Sequence, residues 1–147
     1  MSLKERIQQD MKDAMRAGNK PRLAAIRLIL ASIKQKEVDE RKDLDDAEIT
    51  AVLDRMVKQR RESISHFEKA GRNDLVEQET AELAIIREYL PEQLSQDQLH
   101  ALIDDAMEQT GASSIKDMGK VMGHLKPKLQ GRADMGAVSA LIKARLG

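Results

Sequence analysis

The chain has 147 residues, enough for one domain or two small ones with a modest core in each. It contains no cysteine, which excludes a disulfide framework, a thiolate metal site and a cysteine nucleophile. Its 25 Lys and Arg balance 25 Asp and Glu, so no whole-chain charge excess draws it to a polyanion or a membrane.

A cysteine-free chain fits a reducing compartment. With no signal-type apolar stretch behind Met1-Ser2-Leu3-Lys4-Glu5 and no membrane-spanning run, the expected location is cytoplasmic. Phe67 and Tyr89 are the only aromatic residues. Stacking of single-stranded bases on aromatic platforms is therefore excluded on any scale. An RNA ligand would have to be read by backbone and shape.

The periodic stretches are all helical in spacing. Ser2 and Glu5 form a capping box, followed by Leu3, Ile7, Met11 and Ala14, and Gly18 closes the first helix. Pro21 sits where a first-turn proline is tolerated, and Leu23, Ile26, Leu30 and Ile33 mark the second helix. The polar run Glu37 to Asp43 reads as a connection. Asp45 and Glu48 open a long third helix through Ile49, Val52, Leu53, Met56, Arg60, Ile64 and Phe67, ending near Gly71. Asn73 or Asp74 caps a fourth, carrying Leu75, Val76, Leu83, Ile86 and Leu90 and stopped by Pro91.

A second unit starts with the capping box Ser95 and Gln98, ahead of Leu99, Leu102, Ile103 and Met107, and Gly111 ends that helix. Ser114 and Asp117 begin another, with Met118, Val121, Met122 and Leu125; Pro127 predicts a bend or an irregular last turn. Gly131 is a left-handed stop, and Asp134 caps a final helix with Val138, Leu141 and Ile142. The expected fold is all-α in two helical domains: residues 1–91 with about four helices, and residues 92–147 as a three-helix unit.

Charge is uneven along this plan. Residues 91–115 carry five carboxylates and no Lys or Arg. Residues 116–147 carry seven cations against Asp117 and Asp134, a local excess of +5. Two basic segments follow as candidate phosphate contacts. The main one is Lys120, Lys126, Lys128 and Arg132, with Lys143 and Arg145 on the last helix. The other is Lys58, Arg61 and Arg72 around the third helix. Gly119 and Gly123, four apart on one helix face, allow another backbone to approach closely, either a neighbouring helix or an RNA strand.

The third and fourth helices are expected to pair as a hairpin turning at Gly71-Arg72. Arg60 and Glu82 stand eleven residues either side of Gly71, Ser63 and Glu79 eight. Reflection across the turn gives Arg60 a carboxylate partner in Glu82 or Glu79, and gives Ser63 an acceptor. No catalytic constellation is present. His66, His100 and His124 stand alone, no phosphate loop or nucleophile elbow occurs, and Ser113-Ser114 reads as a helix cap. No catalytic residue, metal or cofactor is expected.

Several motifs in order resemble the GatB/YqeY family: Lys58 to Ile64, Ala70 to Leu75, the Glu-rich stretch Glu79 to Pro91, Lys116 to Met122, and Gly131 to Asp134. The departure is Met135, where the family more often has Gly. The resemblance implies two helical domains, the second similar to the tail of the B subunit of the tRNA-dependent amidotransferase, which contacts tRNA while a separate cradle domain performs catalysis. Carbon–nitrogen ligase activity with glutamine as amide donor belongs to that cradle, and no motif here corresponds to it. The resemblance thus implies a tRNA-binding module, alone or beside an aminoacyl-tRNA synthetase or amidotransferase, with no membrane partner. The alternative is an adaptor that docks a protein through its helix faces.

Overall fold

The computed structural model describes residues 1–147 and is all-α, with seven α-helices and no strand. In chain order these are α1 Leu3–Ala17, α2 Lys20–Glu40, α3 Asp46–Lys69, α4 Asn73–Arg87, α5 Gln96–Thr110, α6 Met118–Leu129 and α7 Met135–Leu146. They form two compact units, Met1–Leu90 and Pro91–Gly147.

In the first unit α1 and α2 pair, α3 and α4 pair, and α2 also packs on α4. The helix ends follow local chemistry. Gly18 adopts a left-handed φ of 66°, which lets it close α1 without the strain a Cβ would bring. Asn19 then caps α2 by accepting from the Arg22 amide, with Pro21 in the first turn. Asp45 and Glu48 form a full capping box at α3. At α1 only half the box exists: Ser2 accepts from the Glu5 amide.

The core of this unit is built from isoleucines and leucines spaced three and four apart. Ile7, Ile26, Ile29, Ile49 and Leu53 are completely buried. Tyr89 is buried beside them, its hydroxyl donating to Asp10 Oδ2 at 2.6 Å while the Arg6 guanidinium lies 5.0 Å from its ring centroid. Burial and the neighbouring Asp10 push the Tyr89 phenol well above its ordinary pKa.

Two expectations in this unit change. The connection predicted from Glu37 is helix as far as Glu40. Glu37 is only 8% exposed. Its carboxylate takes the Lys4 ammonium at 2.8 Å and the Leu44 amide at 3.0 Å. A polar residue thus holds the helix end by pairing inward, which composition alone reads as a loop. Lys4 first, and the Leu44 amide second, hold the Glu37 carboxyl below its usual range. The fourth helix ends at Arg87, ahead of Pro91, and Arg72 is its N-cap without a side-chain cap bond. Asp74, expected as a cap, instead pairs with Arg72 at 3.1 Å.

The second unit packs α6 against both α5 and α7. Ile103, Val121, Leu125, Leu129, Val138 and Ile142 are completely buried. Met118 and Met122 are partly buried against that core. Ser95 and Gln98 cap α5 reciprocally, Gly111 closes it at φ 65°, and Asp134 caps α7. The segment Ile115–Asp117 is a 3-10 turn rather than the start of α6. Asp117 Oδ2 accepts from the Ser113 and Ser114 amides, which lowers its pKa. Pro127 lies inside α6, which continues as α-helix to Leu129 before Gln130 leaves helical geometry; no irregular turn precedes it.

Candidate nucleic-acid interface

Helix α6 divides cleanly around its circumference. Val121, Leu125 and Leu129 point into the core. Gly119, Lys120, Gly123 and Lys126 face solvent. A Cβ built on Gly119 or Gly123 would meet nothing within 4 Å. The close approach these glycines permit is therefore not used by a neighbouring helix of the same unit. Gly in a helix interior costs roughly 0.5–1 kcal/mol relative to Ala. Gly123, in the interior of α6, bears that cost without an internal packing reason, while Gly119 lies in the first turn.

The cations expected to form one patch separate into two groups. Lys126 and Lys143 are exposed and form no ion pair. Lys120 is 71% exposed, its ammonium 4.0 Å from Asp117, a distance at which solvent screens the attraction strongly. The other three are engaged within the unit. Arg145 pairs with Asp104, with His100 Nδ1 3.2 Å away. Lys128 lies 3.9 Å from Asp105 Oδ2 and 3.4 Å from His124 Nε2. Arg132 Nε donates to the Glu92 carbonyl at 3.2 Å. The Arg132 carbonyl accepts from the Leu94 amide, and Gln93 donates to the Gly131 carbonyl, so this stretch latches residues 92–94 in place.

The acidic helix α5 thus takes up part of the charge of the basic tail. That partnership was legible as two adjacent segments of opposite sign. It was missed because spacing along the chain does not show which helices pack together; Asp104 and Asp105, as neighbours on one helix, point apart. Pointing apart, each reaches a different cation.

In the first unit the hairpin reflection places Arg60 correctly. Its Nε stands 3.2 Å from Glu82 Oε2 and 3.4 Å from Glu79 Oε2, with Arg60 22% and both glutamates 17% exposed. These are charge contacts without aligned hydrogen bonds: Arg60 Nε and Glu79 Oε2 are buried and have no hydrogen-bond partner. Ser63 finds no partner across the hairpin.

Lys58 and Arg61 are exposed on α3 without ion pairs, whereas Arg72 sits at the hairpin turn, engaged by Asp74. The structure adds Arg87, a residue the sequence did not single out. Desolvation first, and the charge of Arg61 second, lower its pKa. No three His, Asp or Glu side chains converge on a metal-sized site, and no helix is long and apolar enough to cross a membrane.

The family model described as Yqey-like protein matches residues 4–146. The chain belongs to that family. Among its relatives is the altered inheritance of mitochondria protein 41, mitochondrial, of Pyrenophora tritici-repentis, 32% identical over 97% of this chain and 80% of the relative. The proteins of the same name from Eremothecium gossypii and Kluyveromyces lactis are 44% and 42% identical, over 57% and 56% of this YqeY-like chain. Those two matches span 46% and 45% of the relatives' own lengths, so about half of each lies outside the similarity.

The relatives correct one expectation. They are named as mitochondrial proteins, which overturns the cytoplasmic location inferred from composition. Absence of cysteine reports on redox chemistry and removes disulfides from consideration. It does not distinguish one reducing compartment from another.

Proposed function

We propose that the second unit of this YqeY-like protein docks on folded RNA of the tRNA type through the outward face of α6. The observation that carries the reading is the pair Gly119 and Gly123, solvent-facing and with open space above them, flanked by Lys120 and Lys126. A bare helical backbone lets a phosphate–sugar strand come closer than any side chain would allow, and exposed ammonium groups beside it supply the counter-charge. The resemblance of Lys116 to Asp134 to the amidotransferase tail supports the same choice of ligand. With Phe67 and Tyr89 the only aromatics, and Tyr89 buried, recognition would follow RNA shape rather than stacked bases.

The contacts fall on Lys120, Lys126 and Lys143; Arg132 and Arg145 are engaged within the unit, and Lys128 stands exposed beside Asp105 and His124. Three phosphate contacts give a slope of log affinity against log salt of about −2.1 to −2.7. The experiment is fluorescence anisotropy of labelled, folded tRNA over a salt series, for the parent and for Lys120→Glu/Lys126→Glu/Lys143→Glu. The parent should bind at low salt with that slope and the triple variant should not. A triple variant that binds as tightly as the parent places the contact elsewhere. A parent that fails to bind at low salt removes the RNA reading.

A further inference from the structure

Helix α2 is apolar on two opposite sides. One side fills the first core with Ala25, Ile26, Ile29 and Ile33. On the other, Ala24, Leu28, Ala31, Gln35 and Val38 succeed one another at spacings of four, three, four and three, and all five face solvent. Leu28 is 44% and Val38 58% exposed. That alternation is the seam a helix presents to a partner helix, and it is a poor pattern for a face meant only for water. A helix with one buried face needs charged or polar residues there, and α2 places its charges beside the seam instead.

The flanks are predominantly basic. Lys20, Arg27 and Lys34 run along one side at seven-residue intervals, all exposed and none in an ion pair, and Arg41 follows as the left-handed C-cap of the helix. The other side opens into a groove of 180 Å³ between α2 and α3. Ala51, Val52 and Met56 give that groove its apolar lining, and Ser32, Lys36, Arg55 and Gln59 its polar one. Lys36 and Arg55 form no ion pair, and no carboxylate lines the groove. Asp39 is the carboxylate beside the seam, and its Oδ1 accepts from the Gln35 amide at 2.9 Å.

We propose that this face docks an acidic amphipathic helix of a partner protein. Apolar residues of that helix at the same alternating spacing would lie along Leu28, Ala31 and Val38. Its flanking carboxylates would meet Arg27 and Lys34 on one side and Lys36 and Arg55 on the other. The charge pattern disfavours a second copy of the chain. An antiparallel two-fold pair of α2 sets the Lys20–Lys34 flank against itself, and a parallel pair sets it against the side carrying Lys36. The apolar seam offers nothing to a phosphate backbone. The alanines at 24 and 31 suit the close approach of another helix better than insertion among lipid chains.

The probe is a synthetic four-heptad peptide with Leu at the seam positions and Glu on both flanks, kept unfolded by its own repulsion, beside a counterpart with Lys on the flanks. Each is titrated into the full chain at low salt, with binding followed by calorimetry and helix formation by circular dichroism. The Glu peptide should bind one to one and become helical, and the Lys peptide should not bind. Leu28→Glu/Val38→Glu and Arg27→Glu/Lys34→Glu should each weaken binding at least tenfold without lowering the melting temperature, because all four positions are exposed. No binding of the Glu peptide, equal binding of both peptides, or unchanged binding by both variants overturns the proposal. So does a dimer in sedimentation that Leu28→Glu/Val38→Glu dissolves, which makes a second copy the occupant. Loss of tRNA binding in Arg27→Glu/Lys34→Glu would assign the face to RNA. Loss of binding to phosphatidylglycerol vesicles in Leu28→Glu/Val38→Glu would assign it to a lipid surface. None of the α6 lysines is altered in these variants, so tRNA binding that they retain leaves the RNA reading of α6 standing whichever way the peptide titrations fall.

Discussion

The α3–α4 hairpin and helix α6 use their polar residues in opposite ways. In the hairpin, Arg60 turns inward between Glu79 and Glu82, and all three are mostly hidden from water. On α6, glycines and lysines stand on the face away from the core, with nothing over the glycines. The first arrangement joins two helices through charges turned away from water. The second adds nothing to the unit's own packing and leaves backbone accessible. Charge and polarity in a sequence run do not separate these cases. The direction of the side chain relative to the nearest core does.

The two faces of α6 give the sharpest contrast. Leu125→Ala should destabilise the protein by about 2–5 kcal/mol, because the side chain is completely buried and its removal leaves a cavity. Chemical denaturation checks this, and a midpoint equal to the parent's would contradict the assigned core face. Arg60→Ala comes next. Partial burial puts its cost between that of a surface pair and that of a buried one, about 2 kcal/mol, as two neighbouring glutamates lose their shared cation. Lys126→Ala should change stability by less than about 0.5 kcal/mol. Equal midpoints for the Arg60 and Lys126 variants would erase the distinction between an inward and an outward charge.

Gly123→Ala tests the open face directly. The position is helical and unobstructed, so the added methyl should stabilise α6 by up to about 1 kcal/mol. The same variant should weaken tRNA binding if the backbone is the contact. A gain in melting temperature with unchanged RNA affinity would leave the glycine without a role in binding.

The smallest effect concerns pH. Glu37 has a folded pKa below its ordinary 4.5, through Lys4 and the Leu44 amide. Its contribution is present above that ordinary value and is lost as pH falls through the lower folded value. Glu37→Gln should therefore narrow its stability deficit relative to the parent as pH falls from about 4.5 through the lower folded value, where the parent's carboxylate also becomes neutral. A deficit that stays constant across that range would show that the ion pair with Lys4 is not what holds the α2 end.

Much of the helix plan was legible because helix ends are local events. Gly18, Asp45, Ser95, Gly111 and Asp134 act on atoms within a few residues of themselves, and each does what its position suggested. The Arg60 clasp was legible for a related reason: a tight turn at Gly71 fixes which residues face each other. Where the reading failed, the cause was long-range. Glu37 extends α2 because Lys4, 33 residues earlier, meets it. Arg145 loses its freedom to Asp104, 41 residues away, and Arg132 is tied to Glu92 across 40.

By itself the sequence determined an all-α chain, its main caps and stops, and the resemblance that the family match bears out. Periodicity, proline and glycine carry that information because backbone hydrogen bonding in a helix closes within four residues. The tertiary structure alone decided which cations are spent on α5, that Gly119 and Gly123 look outward, and that α2 bears a second, uncovered apolar seam. Those are statements about what lies across a gap in space, and a spacing rule along one helix cannot supply the neighbour on the other side.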